Sequence, residues 1–328
     1  MTTAYSLAAV SAEQLRTMSV AARLYYIQEI RQRDIAQRLG ISQARVSRLL
    51  RQAEQCGIVR TVLTVPEGLH PDLEEQIEQA YGVAEVHVVE VPAADEAVPY
   101  ALGWAAARFF SAGALMGTNL GFTSWSTTLQ EMASAFDDAL PRSGVRHVVE
   151  MLGDLGPPAA QHAATRSTQR FAYALGAKPV FLRTPGVVAT AALRTAALQN
   201  SHVQEALALL DDLDIAFVGV GPPQLHSFLV GGANFFDAEQ LDQVTTLGAA
   251  GQLNQRYIDA AGRPLACALD ELVVGVTLGQ LARARRRVVV AGGQSKHAAI
   301  GAALRGGWVD TLITDLGTAR QLLARRPN

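Results

Sequence analysis

The sequence predicts two joined folds: an N-terminal winged helix-turn-helix domain and a larger C-terminal α/β domain on a mainly parallel sheet. Three observations carry this. Gln32 to Arg51 reads as two short helices around a glycine corner. Positive charge gathers in that same region. From Glu85 onward, short β-branched runs alternate with helical segments. At 328 residues the chain is long for one domain, and its 49% apolar content supplies a large core.

The corner comes first. Ile35, Ala36 and Leu39 share one face of the first helix, and Val46, Leu49 and Leu50 share one face of the second. These are the spacings of a buried helical stripe. Gly40 suits a left-handed helix end, Ile41 plugs the corner and Ser42 caps the next helix. Gln43, Ala44, Arg45, Ser47, Arg48 and Arg51 are left exposed, with no acid before Glu54. Arginine pairs with guanine and glutamine with adenine in the major groove. Gln43, Arg45 and Arg48 are therefore the expected base readers. Arg33, Arg38 and Arg51 are the expected phosphate contacts, and Ser42, Ala44 and Ser47 complete the DNA-binding set. A solvated face of an ordinary helical hairpin is the plainer alternative. Small residue, glycine, cap and both stripes fall together at helix-turn-helix places, which argues against it.

Charge agrees with this division. Nine arginines lie between Arg16 and Arg60 against Glu29, Asp34 and Glu54, so this segment carries +6 and the remainder −8 of a net −2. A basic head on an acidic body fits nucleic acid at one end. Cys56 and Cys267 show no metal or redox spacing, so two thiols in a reducing cytoplasm are expected. No secretion signal and no membrane-spanning run is apparent, and the expected location is cytoplasmic.

In chain order, a loose arm (1–15) precedes a first helix from about Ser19 to Ile30, with Ala22, Tyr26 and Ile30 on a stripe. Ile58 to Val65 reads as a wing or edge strand, and Pro66, Gly68 and Pro71 break the chain. Leu73 to Tyr81 is an acidic amphipathic helix suited to linking domains or pairing with its copy. The expected division is 1–65 for DNA binding, 66–84 for linkage or oligomerisation and 85–328 for an effector domain. Strands are expected at 85–91, 115–122, 147–152, 214–221, 272–276, 287–293 and 310–315. Helices are expected at 96–110, 126–137, 164–175, 187–209, 295–304 and 316–324, with 237–264 less regular.

Parallel sheets hold ligands at the carboxyl ends of their strands. Three such loops stand out. In Gly121 to Thr128 a glycine ends a strand and five hydroxyl residues surround Trp125 as a helix begins. This makes a cradle for phosphate or another anion; the alternative is a serine-rich cap without a ligand. Trp125 stacks on a sugar or belongs to the core. Ala291 to Lys296 places two glycines and a cation after a strand, although paired glycines often only turn a chain. Gly219 to Pro223 is either a pocket wall or a stiff turn.

These pieces resemble the SorC family of bacterial transcription regulators, the sugar-binding DeoR-type group, over nearly the whole chain. The similarity is strongest in AARLYY (21–26), in 34–59 around QRLGISQARVSRLL, and in 291–323 around AGGQSKHAAIGAALRGGW. DIAFVGVG (214–221), LGAAGQL (247–253) and YIDAAG (257–262) are also similar. The resemblance implies a winged-helix operator-binding domain, and an effector domain with the phosphosugar isomerase and deaminase fold. It also implies a sugar, polyol or sugar-phosphate effector and a homodimer or homotetramer. It matches Gly121 to Thr128 to the effector phosphate loop and Lys296 to a C-terminal lysine. Gln252 stands where the family often has an acid, and the 151–156 loop lacks a frequent double glycine. The expected effector contacts are Gly121, Thr123, Ser124, Trp125, Ser126, Thr127, Thr128, Gly221, Gln252, Gly292, Gly293 and Lys296. No cofactor or metal is expected. Two competing functions are an active sugar-phosphate isomerase or deaminase, with His162, Asp154, His226 or Asp259 as the base, and a regulator without a small-molecule ligand.

Overall fold

The computed structural model describes residues 11–59, 68–91, 95–112, 117–136, 144–224 and 234–326. The chain forms two compact units, Met1–Pro66 and Glu67–Asn328.

In the first unit, α1 (Ala12–Ala22) opens on Ser11, whose hydroxyl accepts from the Gln14 N–H while the Gln14 side chain reaches back to the Ser11 N–H. This reciprocal cap starts the helix well before Ser19. A π-helical turn, Arg23–Ile27, follows and rotates Tyr26 outward, where it is 42% exposed. Glu29 then takes a left-handed φ of 53° and ends the helical course, so the expected 22/26/30 stripe does not form. Next come α2 (Gln32–Leu39) and α3 (Gln43–Gln55). Met18, Ala21, Ile35, Val46, Leu50 and Ala53 form the core between the three helices. The expected wing falls mostly on 60–65 and lies outside the described residues, as does most of the N-terminal arm.

The second unit opens with α4 (Pro71–Tyr81) and β1 (Glu85–Val89). After α5 (Val98–Ala112) come β2 (Asn119–Phe122), α6 (Thr127–Ser134), β3 (His147–Glu150), α7 (Pro158–Ala174) and β4 (Lys178–Val180). Then follow α8 (Ala191–Leu198), α9 (Ser201–Leu209), β5 (Ile215–Val218), β6 (Val220–Gly221), α10 (Ala238–Thr246), β7 (Ala249–Leu253) and β8 (Arg256–Asp259). The last elements are α11 (Leu278–Arg283), β9 (Arg286–Val290), α12 (His297–Arg305), β10 (Thr311–Asp315) and α13 (Leu316–Ala324).

The main sheet has seven strands in the order β1-β10-β9-β5-β2-β3-β4, paired in parallel throughout. Both faces are covered, which is why the strands read as continuous apolar runs. Neighbouring residues alternate between two cores. Val149, Ala216, Val289 and Leu312 join one, while Val148, Phe217, Val288 and Ile313 join the other. At the β1 edge, Glu78 and Glu74 of α4 accept from the Val86 and Val88 N–H groups at 2.9 and 2.8 Å. The Tyr81 hydroxyl donates to the Leu322 carbonyl of α13 at 2.8 Å. An edge that would otherwise offer free donors is thus closed by carboxylates.

The apolar run 272–276 is not a strand of this sheet. Val273 and Gly275 make single bridges to Val187 and Leu152, and Val273, Val274 and Val276 are buried among loops. Burial alone makes a run apolar, so composition could not separate the two cases. The seventh strand is β4, whose Pro179 lacks an N–H and is tolerated at an edge. The expected 187–209 helix breaks in two because Asn200 caps α9, accepting from His202 and Val203 N–H. The 237–264 region supplies α10 and a hairpin, β7–β8, that joins β6 in a separate three-stranded antiparallel sheet.

Winding reverses between β2 and β5: β3 and β4 extend the sheet one way, and β9 and β10 the other. The loops after β2, β5 and β9 therefore leave neighbouring strands at the same end, where such sheets open a crevice.

Candidate DNA-reading helix and effector pocket

In the first unit, Gly40 ends α2 at φ 63°, and the Ile41 N–H returns to the Ala36 carbonyl at 3.0 Å. The Ser42 hydroxyl accepts from the Arg45 N–H and sets the start of α3. Val46, Leu49, Leu50 and Ala53 are buried, so Gln43, Ala44, Arg45, Ser47, Arg48 and Arg51 face solvent together. Arg33 and Arg38 are exposed on α2, Arg33 making only a loose 3.5 Å contact with Asp34. The acid that follows these arginines on α3, Glu54, accepts from the Tyr26 hydroxyl at 2.6 Å. That bond raises the Tyr26 pKa to about 12 and ties the π-helical turn to α3.

In the second unit, the three strand-end loops meet around one pocket. Its wall includes Thr123, Trp125, Ser126 and Thr127 after β2, and Gly219, Val220 and Gly221 after β5. Lys296, before α12, also lines it, as do Gln252, Asn254 and Gln255 of the β7–β8 hairpin. Leu152, Leu155 and Phe235 give it apolar patches. Ser126 caps α6 by accepting from the Leu129 N–H, and Thr127 opens that helix at its positive end. Thr123 is the hub. Its hydroxyl accepts from the Gly219 N–H at 3.0 Å and donates to Asn254 Oδ1 at 2.9 Å. Gly219 is required there, because a Cβ would lie 2.8 Å from the Thr123 methyl.

The Lys296 ammonium has no ion-pair or hydrogen-bond partner among the described residues, and burial holds its pKa below the usual lysine value. On the pocket wall, Trp125 Nε1, Asn254 Nδ2 and Gln255 Oε1 are buried and likewise unpaired; Ser124 Oγ is also buried and unpaired but lies off that wall. Unpaired polar atoms on one cavity are costly unless a ligand or water meets them. Trp125 packs in the core with Leu152, Tyr257 and Phe236 and also lines the pocket.

Other expected contacts sit elsewhere. Gly121 lies within β2, packed against Met151 and Leu213. Thr128 is buried, with its backbone carbonyl against Gly103 of α5. Gly292 is held against the Asp315 carboxylate, and the Gly293 N–H donates to that carboxylate at 2.8 Å. Bonds from Thr318 and Gly293 hold the Asp315 pKa low despite its burial. None of these four lines the pocket, and neither does Ser124. Conversely, the sequence reading passed over Asn254, Gln255 and Gln224, all of which line the pocket. Asn254 and Gln255 both adopt left-handed φ, 50° and 63°, as the two-residue link of a hairpin demands. The signal was present as Asn-Gln between two short alternating runs.

The candidate bases are dispersed. His162 is exposed on α7, Asp259 is engaged with Arg263 at 2.8 Å, and Asp154 is off the pocket wall; His226 lies outside the described residues. Among the described residues no group of three or more His, Cys, Asp or Glu side chains is placed to hold a metal. Nor is any described helix long and apolar enough to cross a membrane.

Residues 68–324 match the family model described as "Putative sugar-binding domain", and residues 26–60 match winged helix-turn-helix DNA-binding. The chain is 30% identical over 304 residues to a deoxyribonucleoside regulator of Bacillus subtilis, covering 92% of this chain and 96% of that one. It is 26% identical over 317 residues to the sorbitol operon regulator of Klebsiella pneumoniae, covering 95% and 99%. The crystal structure of full-length SorC from Klebsiella pneumoniae superposes with a TM-score of 0.70 at 25% identity, covering 95% of this chain and all of that one.

Proposed function

The chain belongs to the SorC family of sugar-binding transcription regulators, and from that premise we propose that a carbohydrate-type effector in the Thr123–Lys296 pocket sets its affinity for an operator. The helix-turn-helix unit is the DNA-binding part, and the α/β unit is the sugar-binding part. Gln43, Arg45 and Arg48 read bases in the major groove while Arg33, Arg38 and Arg51 hold phosphates. The effector rests on Ser126, Thr127, Gln252 and Lys296. The observation that carries this reading is the unpaired Lys296 sharing one cavity with the start of α6, in a chain that also bears an arginine-faced helix. An effector alters DNA affinity only through unequal affinity for two arrangements of the protein. A homodimer or homotetramer in the cytoplasm, with half-site spacing as the variable, supplies those arrangements.

The α/β unit is read as a sensor without turnover. No imidazole or carboxylate lines the pocket among the described residues, which supports holding a sugar over abstracting a proton from it. The test has two parts. Duplexes selected from a random pool by purified protein should contain paired half-sites. Sugars, polyols and sugar phosphates should then be screened for a rise in melting temperature and a change in affinity for those duplexes. Thr127→Asp should abolish the ligand response. Turnover of a pentose or hexose phosphate, or a normal response in that variant, would overturn the reading.

A further inference from the structure

We propose, resting on the reading of Arg51 as a phosphate contact, that Tyr26 is a positioning residue for DNA binding: its phenol holds the Glu54 carboxylate away from Arg51 and so keeps that guanidinium free for the duplex.

The sequence of α3 sets the problem. Arg45, Arg48 and Arg51 stand exposed on the helix, and Glu54 is its one carboxylate. Glu54 follows Arg51 by three residues, so the two side chains are neighbours on one face. At that spacing Cβ atoms are about 5–6 Å apart. Physiological salt screens exposed charges only beyond about 8 Å. A loose Glu54 would therefore pair with Arg51, compete with a phosphate for it and itself repel the duplex.

The carboxylate is engaged elsewhere. Glu54 Oε1 accepts from the Tyr26 hydroxyl at 2.6 Å. A hydroxyl donating to a carboxylate makes a charge-assisted bond, stronger than an exposed ion pair. Glu54 makes no ion pair among the described residues, and the Arg51 guanidinium has no partner among them. The phenol is a dependable donor, because the bond to Glu54 raises its pKa to about 12 and it stays protonated.

The π-helical turn delivers that phenol. The Gln28 N–H reaches back to the Arg23 carbonyl at 3.1 Å, one residue further than in an α-helix. Tyr25 packs edge-on against the Tyr26 ring, with centroids 4.9 Å apart. Met18, Ala21 and Ala22 supply this segment's share of the helical core, and Tyr26 takes no part in it. Core packing thus gives no reason for the turn, and such turns concentrate at functional sites.

The experiment uses the full chain, with anisotropy on a duplex selected from a random pool and on a random duplex. Tyr26→Phe keeps the ring and removes the donor. It should weaken both duplexes alike, about threefold or more at physiological salt, and the slope of log affinity against log salt should become shallower by about 1. Made on a Glu54→Gln chain, the same substitution should change affinity less than about twofold, because no carboxylate remains to capture Arg51. Both phenylalanine chains lack the hydroxyl, so a merely structural role would weaken both equally. An equal loss in the two backgrounds, or unchanged binding in Tyr26→Phe, overturns the inference. Arg51→Gln separates it from the reading beneath it. A loss there with none in Tyr26→Phe overturns the role of Tyr26 and leaves Arg51 a phosphate contact. No loss in Arg51→Gln on either duplex overturns the phosphate assignment and the role of Tyr26 together.

Discussion

Glu150 is a carboxylic acid kept out of water at the end of β3. It is 3% exposed and accepts from the Leu182 N–H at 3.1 Å and the Thr168 hydroxyl at 3.0 Å. Burial raises its pKa to about 7, with those two bonds and Arg183 acting against the rise. The folded chain therefore holds a proton that the unfolded chain releases above the usual carboxylate range. The associated stability is fully present below about pH 4.5 and declines as pH rises through about 7. Linkage puts the full swing on the order of 3 kcal/mol. In Glu150→Gln, the amide oxygen still accepts from Leu182 and the amide nitrogen meets the Thr168 oxygen. Urea midpoints at pH 5, 6, 7 and 8 should fall for the wild type and follow a flatter line for the variant. At the same scale, Arg48 is exposed on α3, with its Nε resting 3.4 Å from the Ala44 carbonyl. Arg48→Ala should cost roughly 1–3 kcal/mol of operator binding if the guanidinium pairs with guanine. Fluorescence anisotropy on operator and random duplexes checks it, since an equal loss on both marks a phosphate contact.

At the scale of elements, the β7–β8 hairpin combines strain with function. Neither Asn254 nor Gln255 is a glycine, yet both take left-handed backbone, and both line the pocket. Gln255→Gly keeps the N–H that donates to Gln252 and relaxes the backbone, while removing an amide from the wall. The expected outcome is a modest rise in melting temperature together with a weaker ligand response, both measured by thermal shift. The same hairpin shows where sequence patterning runs out. Helix starts and stops at Gly40 and Ser42 were legible because each is fixed by a local backbone need. The loop after β2 was legible because hydroxyls beside a glycine have a local meaning. The roles of Thr128 and Gly292 were not. Their neighbours, Gly103 and Asp315, come from distant segments, and only the folded arrangement decides which face of a loop meets the cavity. For the same reason an apolar run at 272–276 passed for a strand, while the short edge strand with Pro179 did not.

Across the whole molecule, the two units depend differently on sequence distance. The helices of the first unit pack with near neighbours along the chain. The second unit is closed by β1 against β10, Glu85 opposite Thr311. A chain shortened to end at residue 305 removes β10 and α13, and with them the strand between β1 and β9. Limited proteolysis should find residues 11–59 still protected and the second unit digested. A protected second unit in that fragment would show that the β1–β10 pairing is dispensable.

That pairing also sets a schedule. Glu85 and Thr311 are 226 residues apart, so at a synthesis rate of about 5–20 residues per second the first strand waits roughly 10–45 s for its neighbour. During that interval the sequence of the first unit is complete, while the sheet of the second still lacks the strand that sits between β1 and β9. The last part of the chain to be made therefore closes the very sheet that the earliest strand opened.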